Sequence, residues 1–130
     1  MKLCKFLFSI VFSTMAAAPL RADLAVGLWQ SQPDATGLVV HVRTKNCGSA
    51  ICGRIERAKD LRGYDTPSSV VGRRMIMGML AQEDGSYAGQ IWEPQRNKLL
   101  TARMQVQGNV MRLRNCDESA CQDIVWQRLR

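Results

Sequence analysis

The 130-residue sequence contains a single histidine, His41, and no phenylalanine after Phe12. A Ser-His-Asp or Cys-His catalytic arrangement would have to use His41, and nothing near it in the sequence has the pattern of an activated nucleophile. The sequence also lacks a Gly-rich phosphate loop at a strand-to-helix junction and a cluster of metal ligands. We therefore predict no catalytic residue, no metal site and no cofactor.

The one long apolar run lies at the N-terminus, where Lys2 and Lys5 precede the segment 6–15 and small residues follow. This order is typical of a secretory signal peptide, and the run is too short to span a bilayer. We predict that residues 1–22 are removed after Ala22, and that residues 23–130 form one domain without a transmembrane segment. The alternative is a buried N-terminal helix. A cleaved leader predicts a periplasmic or secreted protein.

Removal of this leader lowers the formal charge from +7 to +4, because residues 23–130 hold 15 basic and 11 acidic residues. That charge is too small to indicate a nucleic-acid partner, and few aromatic residues lie beside the basic ones. A solvated face explains the arginines by default, and attraction to an anionic lipid headgroup, an envelope surface or an acidic ligand is the functional alternative. Most of the remaining basic character comes from Arg73, Arg74, Arg103, Arg112 and Arg114.

From Asp23 onward, apolar and polar residues alternate and turn residues recur about every dozen positions, a pattern of short antiparallel strands. The predicted strands cover 24–31, 37–45, 51–58, 72–82, 86–93, 98–107, 110–115 and 121–129. A sheet of this kind hides its edges by closing on itself. We predict an all-β fold, an eight-stranded up-and-down antiparallel barrel, whose interior is filled by side chains or holds one small ligand.

Four cysteines remain after the leader, in two pairs of equal spacing that each flank a predicted strand-to-strand turn. An even number of cysteines in an exported chain is typical of disulfide bonds, and four cysteines allow three pairings. We favour Cys47–Cys52 with Cys116–Cys121, because residues across a hairpin approach disulfide distance, whereas the other pairings require the two turns to meet. A four-thiolate zinc site is the alternative, although zinc ligands are usually closer in sequence.

The segment 75–79 holds three methionines at alternate positions, which strand geometry places on one side of the sheet. Methionine fills irregular space in a core that has no phenylalanine, and it also suits an apolar ligand. We therefore predict a core or pocket lining, with copper(I) binding as the alternative. The predicted ligand-binding residues are Met75, Met77, Met79, Met104, Trp92 and Tyr87, with arginines at the mouth of the barrel.

Several short motifs of the chain occur in the order and spacing of one bacterial family. They are Gly27-x-Trp29, Cys47 with Cys52-Gly53, Asp65-x-Pro67, Gly72-Arg73-Arg74 with Gly78, Gly89-Gln90-Ile91-Trp92-Glu93-Pro94, Arg114-Asn115-Cys116 with Cys121, and Trp126-Gln127-Arg128. Together they resemble the DUF2147 proteins over essentially all of the chain from Gly27 to Arg128. The sequence departs from the family pattern at Thr66, where relatives usually have asparagine, and at Trp92, where they often have tyrosine.

The resemblance implies a small exported protein with a lipocalin-like (calycin) barrel, in a family without an assigned function. In calycins, a tryptophan of the first strand packs near the closed end of the barrel beneath an arginine from a late strand. Trp29 and Arg128 match these positions, and a cation–π contact between them is worth roughly 0.5–2 kcal/mol. The resemblance therefore implies structural roles for Trp29, Arg128 and the neighbouring Trp126.

Two functions fit these features better than an enzyme does. The first is an exported lipocalin-like protein that binds a small apolar or amphipathic ligand, including one with an anionic end that arginines at the mouth would attract, which predicts an internal cavity. The second is an envelope-stress or inhibitor-type module that binds a macromolecular partner through its loops, chiefly residues 59–69. That function predicts a filled barrel and an exposed apolar or charged patch.

Cleavage after Ala22 is testable on exported protein. We expect the mature chain to begin at Asp23 and to contain four oxidised cysteines, because the leader carries the fifth, Cys4. Intact-mass spectrometry before and after alkylation and reduction measures both properties. A mature chain that retains residues 1–22, or that keeps a free thiol, would contradict the prediction.

Overall fold

The computed structural model describes Ile10, Val11, Ser13, Thr14 and residues 22–130, so the predicted signal peptide lies largely outside the described residues. Each strand pairs antiparallel with the next, and the last pairs with the first. The predicted eight-stranded up-and-down barrel is therefore confirmed. After a short 3₁₀ helix, Ala22–Ala25, the strands are β1 Gly27–Gln30, β2 Val39–Cys47, β3 Ala50–Lys59, β4 Arg74–Ala81, β5 Tyr87–Glu93, β6 Lys98–Gln107, β7 Val110–Cys116 and β8 Cys121–Arg128.

The first strand begins at Gly27, three residues later than the sequence pattern predicts. The preceding residues form the 3₁₀ helix, and side chains donate hydrogen bonds to the carbonyl groups of this segment. Arg128 donates to the carbonyl oxygens of Leu24 and Val26, and the indole N–H of Trp29 donates to that of Ala25 over 3.1 Å. The helix thus packs across one end of the barrel, which we call the closed end.

Trp29 and Arg128 meet at the closed end. The guanidinium carbon of Arg128 lies 4.3 Å from the centroid of the Trp29 ring. The fully buried hydroxyl of Thr44 accepts hydrogen bonds from the indole N–H of Trp29 over 3.2 Å and from the backbone N–H of Gly27 over 2.9 Å. A Cβ atom at Gly27 would lie 2.7 Å from Nη1 of Arg128, so the glycine of the Gly27-x-Trp29 motif makes room for the arginine.

The interior of the barrel is an apolar core formed by inward-facing side chains of all eight strands. Its largest fully buried apolar members are Trp29, Trp126, Ile55, Ile76, Met79, Ile91, Met104, Met111, Leu113 and Val42. Methionine and tryptophan supply much of this volume in the absence of phenylalanine. The polar residues buried with them are Thr44, Ser86 and Asn115.

Strand β4 does not follow the strict alternation that its sequence suggests. Its register shifts against β3 and again against β5, where Met77 pairs with Gln90 but Leu80 pairs with Ala88. Gly78 adopts a φ of +54° at this β-bulge. The three methionines therefore do not form one row: Ile76 and Met79 are both fully buried, whereas Met77 is half-buried.

The bulge in β4 also explains a glycine in the neighbouring strand. A Cβ atom at Gly89 would lie 2.8 Å from the carbonyl oxygen of Gly78 and 2.9 Å from that of Met77. These atoms belong to the backbone and cannot move aside as the tip of a side chain can. Gly89 is thus required by the close approach of β4 to β5.

The structure pairs Cys47 with Cys52 and Cys116 with Cys121, as predicted. The first bond joins β2 to β3 near the closed end, with its Cα atoms 5.8 Å apart. The second joins β7 to β8 at the opposite end, with its Cα atoms 4.0 Å apart. Each end of the barrel therefore carries one crosslinked hairpin.

Substitution of Arg128 tests the contribution of the closed end to stability. Arg128→Lys keeps the positive charge but loses the planar group that stacks on Trp29 and reaches several carbonyl oxygens. We expect the free energy of unfolding to fall by about 1–3 kcal/mol, measured by urea denaturation of the oxidised protein. Arg114→Lys, on the exposed outer wall, is the control, with an expected change within about 0.5 kcal/mol. Equal losses in both variants would disprove the role of Arg128.

Candidate functional site

A cavity of about 450 Å³ opens at the end of the barrel opposite the Trp29–Arg128 contact. We call this opening the mouth. It is bordered by the β1–β2 loop, the β5–β6 turn and the adjacent ends of β7 and β8, and Val70 reaches it from the long β3–β4 loop. Its apolar lining consists of Leu38, Val40, Val70, Met75, Ile91, Trp92, Ile124 and Trp126.

Asn115 is the buried polar residue of the cavity wall. Strand β7 alternates regularly, so Met111, Leu113 and Asn115 are buried while Arg112 and Arg114 are exposed. The side chain of Asn115 is only 2% exposed, and its amide nitrogen Nδ2 has no hydrogen-bond partner among the described residues. A buried donor without an acceptor costs about 1–3 kcal/mol. The described residues thus leave this buried donor, on a residue of the cavity wall, without an acceptor.

Asp34 orders the loop between β1 and β2 at the mouth. Its Oδ1 atom accepts hydrogen bonds from the backbone N–H of Thr36 over 2.8 Å, from the Thr36 hydroxyl over 2.7 Å and from the N–H of Leu38 over 3.0 Å. Burial raises the pKa of Asp34, but these bonds outweigh it and hold the pKa below its usual value. The carboxylate thus carries a negative charge at neutral pH, and it has no ion-pair partner among the described residues.

Arg96 connects the two turns on the other side of the mouth. Its guanidinium group contacts Glu93 over 3.1 Å and Asp117 over 2.9 Å. Asp117 also accepts hydrogen bonds from Ser119 and from the backbone N–H of Ala120. The bonds from Ser119, Ala120 and Arg96 hold the pKa of Asp117 far below its usual value. Together with Cys116–Cys121, these contacts hold this part of the mouth in shape.

Trp92 is held on two sides beside the cavity. The guanidinium carbon of Arg73 lies 3.9 Å from the centroid of the Trp92 ring, and the indole N–H donates to Oδ1 of Asn97 over 2.9 Å. Asn97 has a φ of +49°, a left-handed conformation that asparagine tolerates better than most residues. The position of Trp92 is thus set by the β5–β6 turn and by the end of the β3–β4 loop.

The structure brings together only two of the predicted ligand-binding residues. Met75 and Trp92 line the cavity. Met79, Met104 and Tyr87 belong to the core, and Met77 packs against it from a half-buried position. The bulge in β4 explains this separation, because it breaks the alternation on which the prediction depended.

The expected arginines do not line the cavity itself, but two of them lie beside it, where Arg73 stacks on Trp92 and Arg96 joins the two turns. The charged residues that line the cavity are the acidic Asp34, Glu93 and Asp123. Arg103 and Arg114 instead lie on the outer wall of the barrel, where they face Asp84 and Asp123. The charged side chains that face the cavity are therefore acidic, and arginines pair with two of them, Arg96 with Glu93 and Arg114 with Asp123.

His41 lies outside the cavity, on the outer wall. Its Nε2 atom is 3.0 Å from Oε1 of Gln30, an amide rather than a nucleophile. Burial, together with the positive charges of Lys59 and Arg57, lowers the pKa of His41. In the part of the chain that the structure describes, no three His, Cys, Asp or Glu side chains are placed to hold a metal ion.

The sequence matches, over residues 27–128, the family described as "Uncharacterized protein conserved in bacteria (DUF2147)". The chain belongs to the DUF2147 family. The fold of this DUF2147 protein is similar to that of a solved structure described as protein HP1028 from the human pathogen Helicobacter pylori, which belongs to the lipocalin family. The two share 14% sequence identity with a TM-score of 0.62, over 81% of this chain and 82% of the other. No curated protein is a significant match.

The cavity of this DUF2147 protein therefore lies at the mouth of a lipocalin-like barrel. Sequence reasoning missed Asn115 and Asp34 as site residues. The alternation of β7 was a usable signal for Asn115, because it places an asparagine at an inward position after two apolar residues. Asp34 had no such signal, since its turn chemistry alone accounts for an aspartate there.

Among the described residues, no helix is long and apolar enough to cross a bilayer.

Acid should loosen the mouth of the DUF2147 barrel. The pKa values of Asp34 and Asp117 lie below the ordinary value of 3.8, so their contribution to stability is complete above that value and is lost as the pH falls through the lowered pKa values. We expect amide exchange at Thr36, Leu38 and Ser119 to accelerate in acid, after correction for the intrinsic pH dependence, as measured by NMR.

Variants separate this effect from general acid unfolding. Asp34→Asn and Asp117→Asn should show the faster exchange of their own loops already at neutral pH. Glu118→Gln, in the same turn as Asp117, is the matched control, because Glu118 is exposed and takes no part in the hydrogen bonds that Asp117 accepts. Unchanged exchange in both aspartate variants would be evidence against the assigned role of these carboxylates.

Proposed function

We propose that this protein is an exported binding protein that holds a small, mainly apolar molecule in the cavity at its mouth. The observation that carries the proposal is the combination of that cavity with the unpartnered amide of Asn115 in its wall. The cavity volume of about 450 Å³ falls within the range of about 300–1,000 Å³ that is usual for small-molecule sites. The lipocalin-like fold supports the same function, because the mouths of such barrels are common ligand sites.

The apolar lining favours a ligand with a hydrocarbon or aromatic body. Side chains from β2, β4, β5 and β8 contribute to it, among them Val40, Met75, Ile91 and Ile124. Transfer of such a body from water to this surface is worth about 25 cal/mol for each Å² buried. Of the methionines predicted from the sequence, Met75 is the one we place in contact with the ligand, together with Trp92.

Asn115 gives the ligand a second property, a hydrogen-bond acceptor beside the β7–β8 hairpin of the mouth. The amide nitrogen supplies a donor in a wall that is otherwise largely apolar. A carbonyl, hydroxyl or ether oxygen would satisfy it, and an alkane would not. The donor thus favours oxygen-containing ligands over pure hydrocarbons.

The carboxylates of the mouth exclude one class of amphipathic ligand. Asp34, Glu93 and Asp123 line the opening. Arg96 pairs with Glu93 and Arg114 with Asp123, which leaves Asp34 without an ion-pair partner among the described residues. A ligand with an anionic end would place that end beside these carboxylates at unfavourable Coulomb energy. We therefore propose a neutral or cationic ligand rather than the anionic end that arginines at the mouth would have favoured.

Export is part of the proposal. The N-terminal sequence has the composition of a cleaved leader, and two disulfide bonds are typical of the periplasm or the extracellular space. A family conserved in bacteria is consistent with a periplasmic or secreted location. Such a protein would meet its ligand in the cell envelope or outside the cell.

A macromolecular partner at the β3–β4 loop is the second candidate function. In that loop Leu61 is 71% exposed and Tyr64 is 65% exposed, which is unusual for large apolar side chains. This function predicted a filled barrel, however, and the cavity favours the small-molecule function. Leu61→Ser with Tyr64→Ser should leave small-molecule binding unchanged if the two functions are separate.

Displacement of the neutral fluorophore N-phenylnaphthylamine tests the proposed site. We expect the fluorophore to bind the oxidised protein, and decanol to displace it at a lower concentration than decanoate does. Asn115→Leu should weaken decanol binding about tenfold, because decanol then loses its hydrogen-bond donor. The same variant should be as stable as the parent protein or more stable, because it removes an unpaired buried donor.

The matched control is Gln105→Leu, which replaces an amide by the same apolar side chain on the outer wall. It should leave decanol binding unchanged. The proposal fails if the fluorophore does not bind, if decanoate binds better than decanol, or if Asn115→Leu binds decanol as well as the parent protein does. Native mass spectrometry of gently purified exported protein would also identify a ligand that copurifies with it.

A further inference from the structure

A second concave site lies on the outer wall of the barrel, across strands β2, β3 and β4. It is an open cleft of about 180 Å³, and no residue lines both this cleft and the cavity at the mouth. Val42 and Thr44 are fully buried, so Arg43 and Lys45 between and after them face outward. The side chains that give the cleft its charge are Arg43, Lys45, Arg54, Arg74 and Glu56.

The register of the sheet places three arginines side by side in this cleft. Arg43 pairs with Arg54 across β2 and β3, and Arg54 pairs with Arg74 across β3 and β4. Neighbouring strands are about 4.8 Å apart, so the three Cα atoms span only about 10 Å. Like charges in direct cross-strand pairs destabilise a sheet. The arrangement therefore lowers the stability of the sheet unless a negatively charged group occupies the cleft.

The protein supplies only part of that opposite charge. Glu56 forms a two-point contact with Arg43, at 2.8 Å and 3.4 Å. Arg54 donates to the carbonyl oxygen of Gly72 over 2.6 Å, which positions its guanidinium group without neutralising it. Neither Arg74 nor Lys45 forms an ion pair with a described residue. Four cations against one carboxylate leave the cleft with a net charge of +3, in a predicted mature chain of +4.

The arginines on the far side of the barrel, on β6 and β7, differ because most of them have a carboxylate partner. Arg103 lies 3.4 Å from Asp84, and Arg114 lies 3.8 Å from Asp123. Arg112 is the remaining cation of that wall, so its excess charge is small. The basic character of the barrel is thus concentrated on the β2–β4 wall rather than on the arginines of β6 and β7.

We propose that the β2–β4 cleft binds an oxyanion of the phosphate class. Guanidinium groups match the oxygens of phosphate with two parallel hydrogen bonds, and an ammonium group adds a mobile point charge. Arg54 and Arg74 would hold the anion, with Arg43 and Lys45 at its sides. The phosphate is supplied either by the headgroup of an acidic lipid or by a free phosphate compound, because both present the same group to the arginines.

Two binding measurements on the disulfide-bonded protein distinguish these sources. Inorganic phosphate is titrated at low salt, and amide shifts are followed by NMR. Co-sedimentation measures binding to phosphatidylcholine vesicles with and without phosphatidylglycerol. The site predicts phosphate-induced shifts centred on β2–β4. If lipid is the source, the protein should bind only the vesicles that contain phosphatidylglycerol. This binding should weaken with added salt.

A pair of double variants with equal net charge tests the location. Lys45→Gln with Arg74→Gln removes the two unpaired cations of the cleft, and we expect binding to weaken about thirtyfold. Arg112→Gln with Arg114→Gln removes two cations from the far wall, and we expect a change within about twofold. Because the first pair relieves repulsion between like charges, its melting temperature should not fall, so lost binding would not reflect unfolding.

Binding of both probes supports the site with either source of phosphate, and binding of one probe identifies the source. The proposal is overturned if neither probe binds the parent protein. It is equally overturned if the far-wall variant loses as much binding as the cleft variant, since that result would reflect net charge alone.

Discussion

Closure of the barrel between β1 and β8 depends on a small group of contacts around Arg128. The strand β1 has four residues, and its register pairs with β8 are Trp29 with Arg128 and Gln30 with Gln127. The guanidinium group extends this short junction by stacking on Trp29 and donating to the carbonyl oxygens of Leu24, Val26 and Gly108. An open sheet would expose unpaired edges on both strands. The β1–β8 junction closes the sheet into the barrel whose mouth holds the cavity.

The closed end of the barrel is filled with side chains, whereas the mouth contains the cavity. Large side chains such as Trp29, Met79 and Met104 fill the closed half to the exclusion of water. The mouth also contains large side chains, among them Trp92 and Trp126, but they leave a cavity between them. Its loops are held by polar contacts, by Asp34 on one side and by Arg96 on the other. The cavity and the polar contacts of the loops therefore lie at the same end of the barrel.

Alternation along the strands separates the two proposed sites physically. In β7 the inward residue Asn115 belongs to the cavity, and its neighbour Arg114 faces solvent. In β2 the inward Val42 is part of the core, and its neighbour Arg43 lies in the basic cleft. A barrel wall is one residue thick, so each strand can serve both surfaces without a shared side chain. Substitutions on one surface can thus be made with little effect on the other.

The sequence by itself predicted the eight strands, the barrel and the favoured cysteine pairing, because these follow from local alternation, turn residues and short spacings, and its motifs indicated the family by resemblance. It also indicated the pairing of Trp29 with Arg128 through resemblance. Only the tertiary structure decided which residues meet across strands. The bulge at Gly78 dispersed the three methionines of β4, the register aligned Arg43 with Arg54, and the turns brought carboxylates to the mouth. Register and bulges depend on contacts between distant segments, and a slip of one residue exchanges the two faces of a strand.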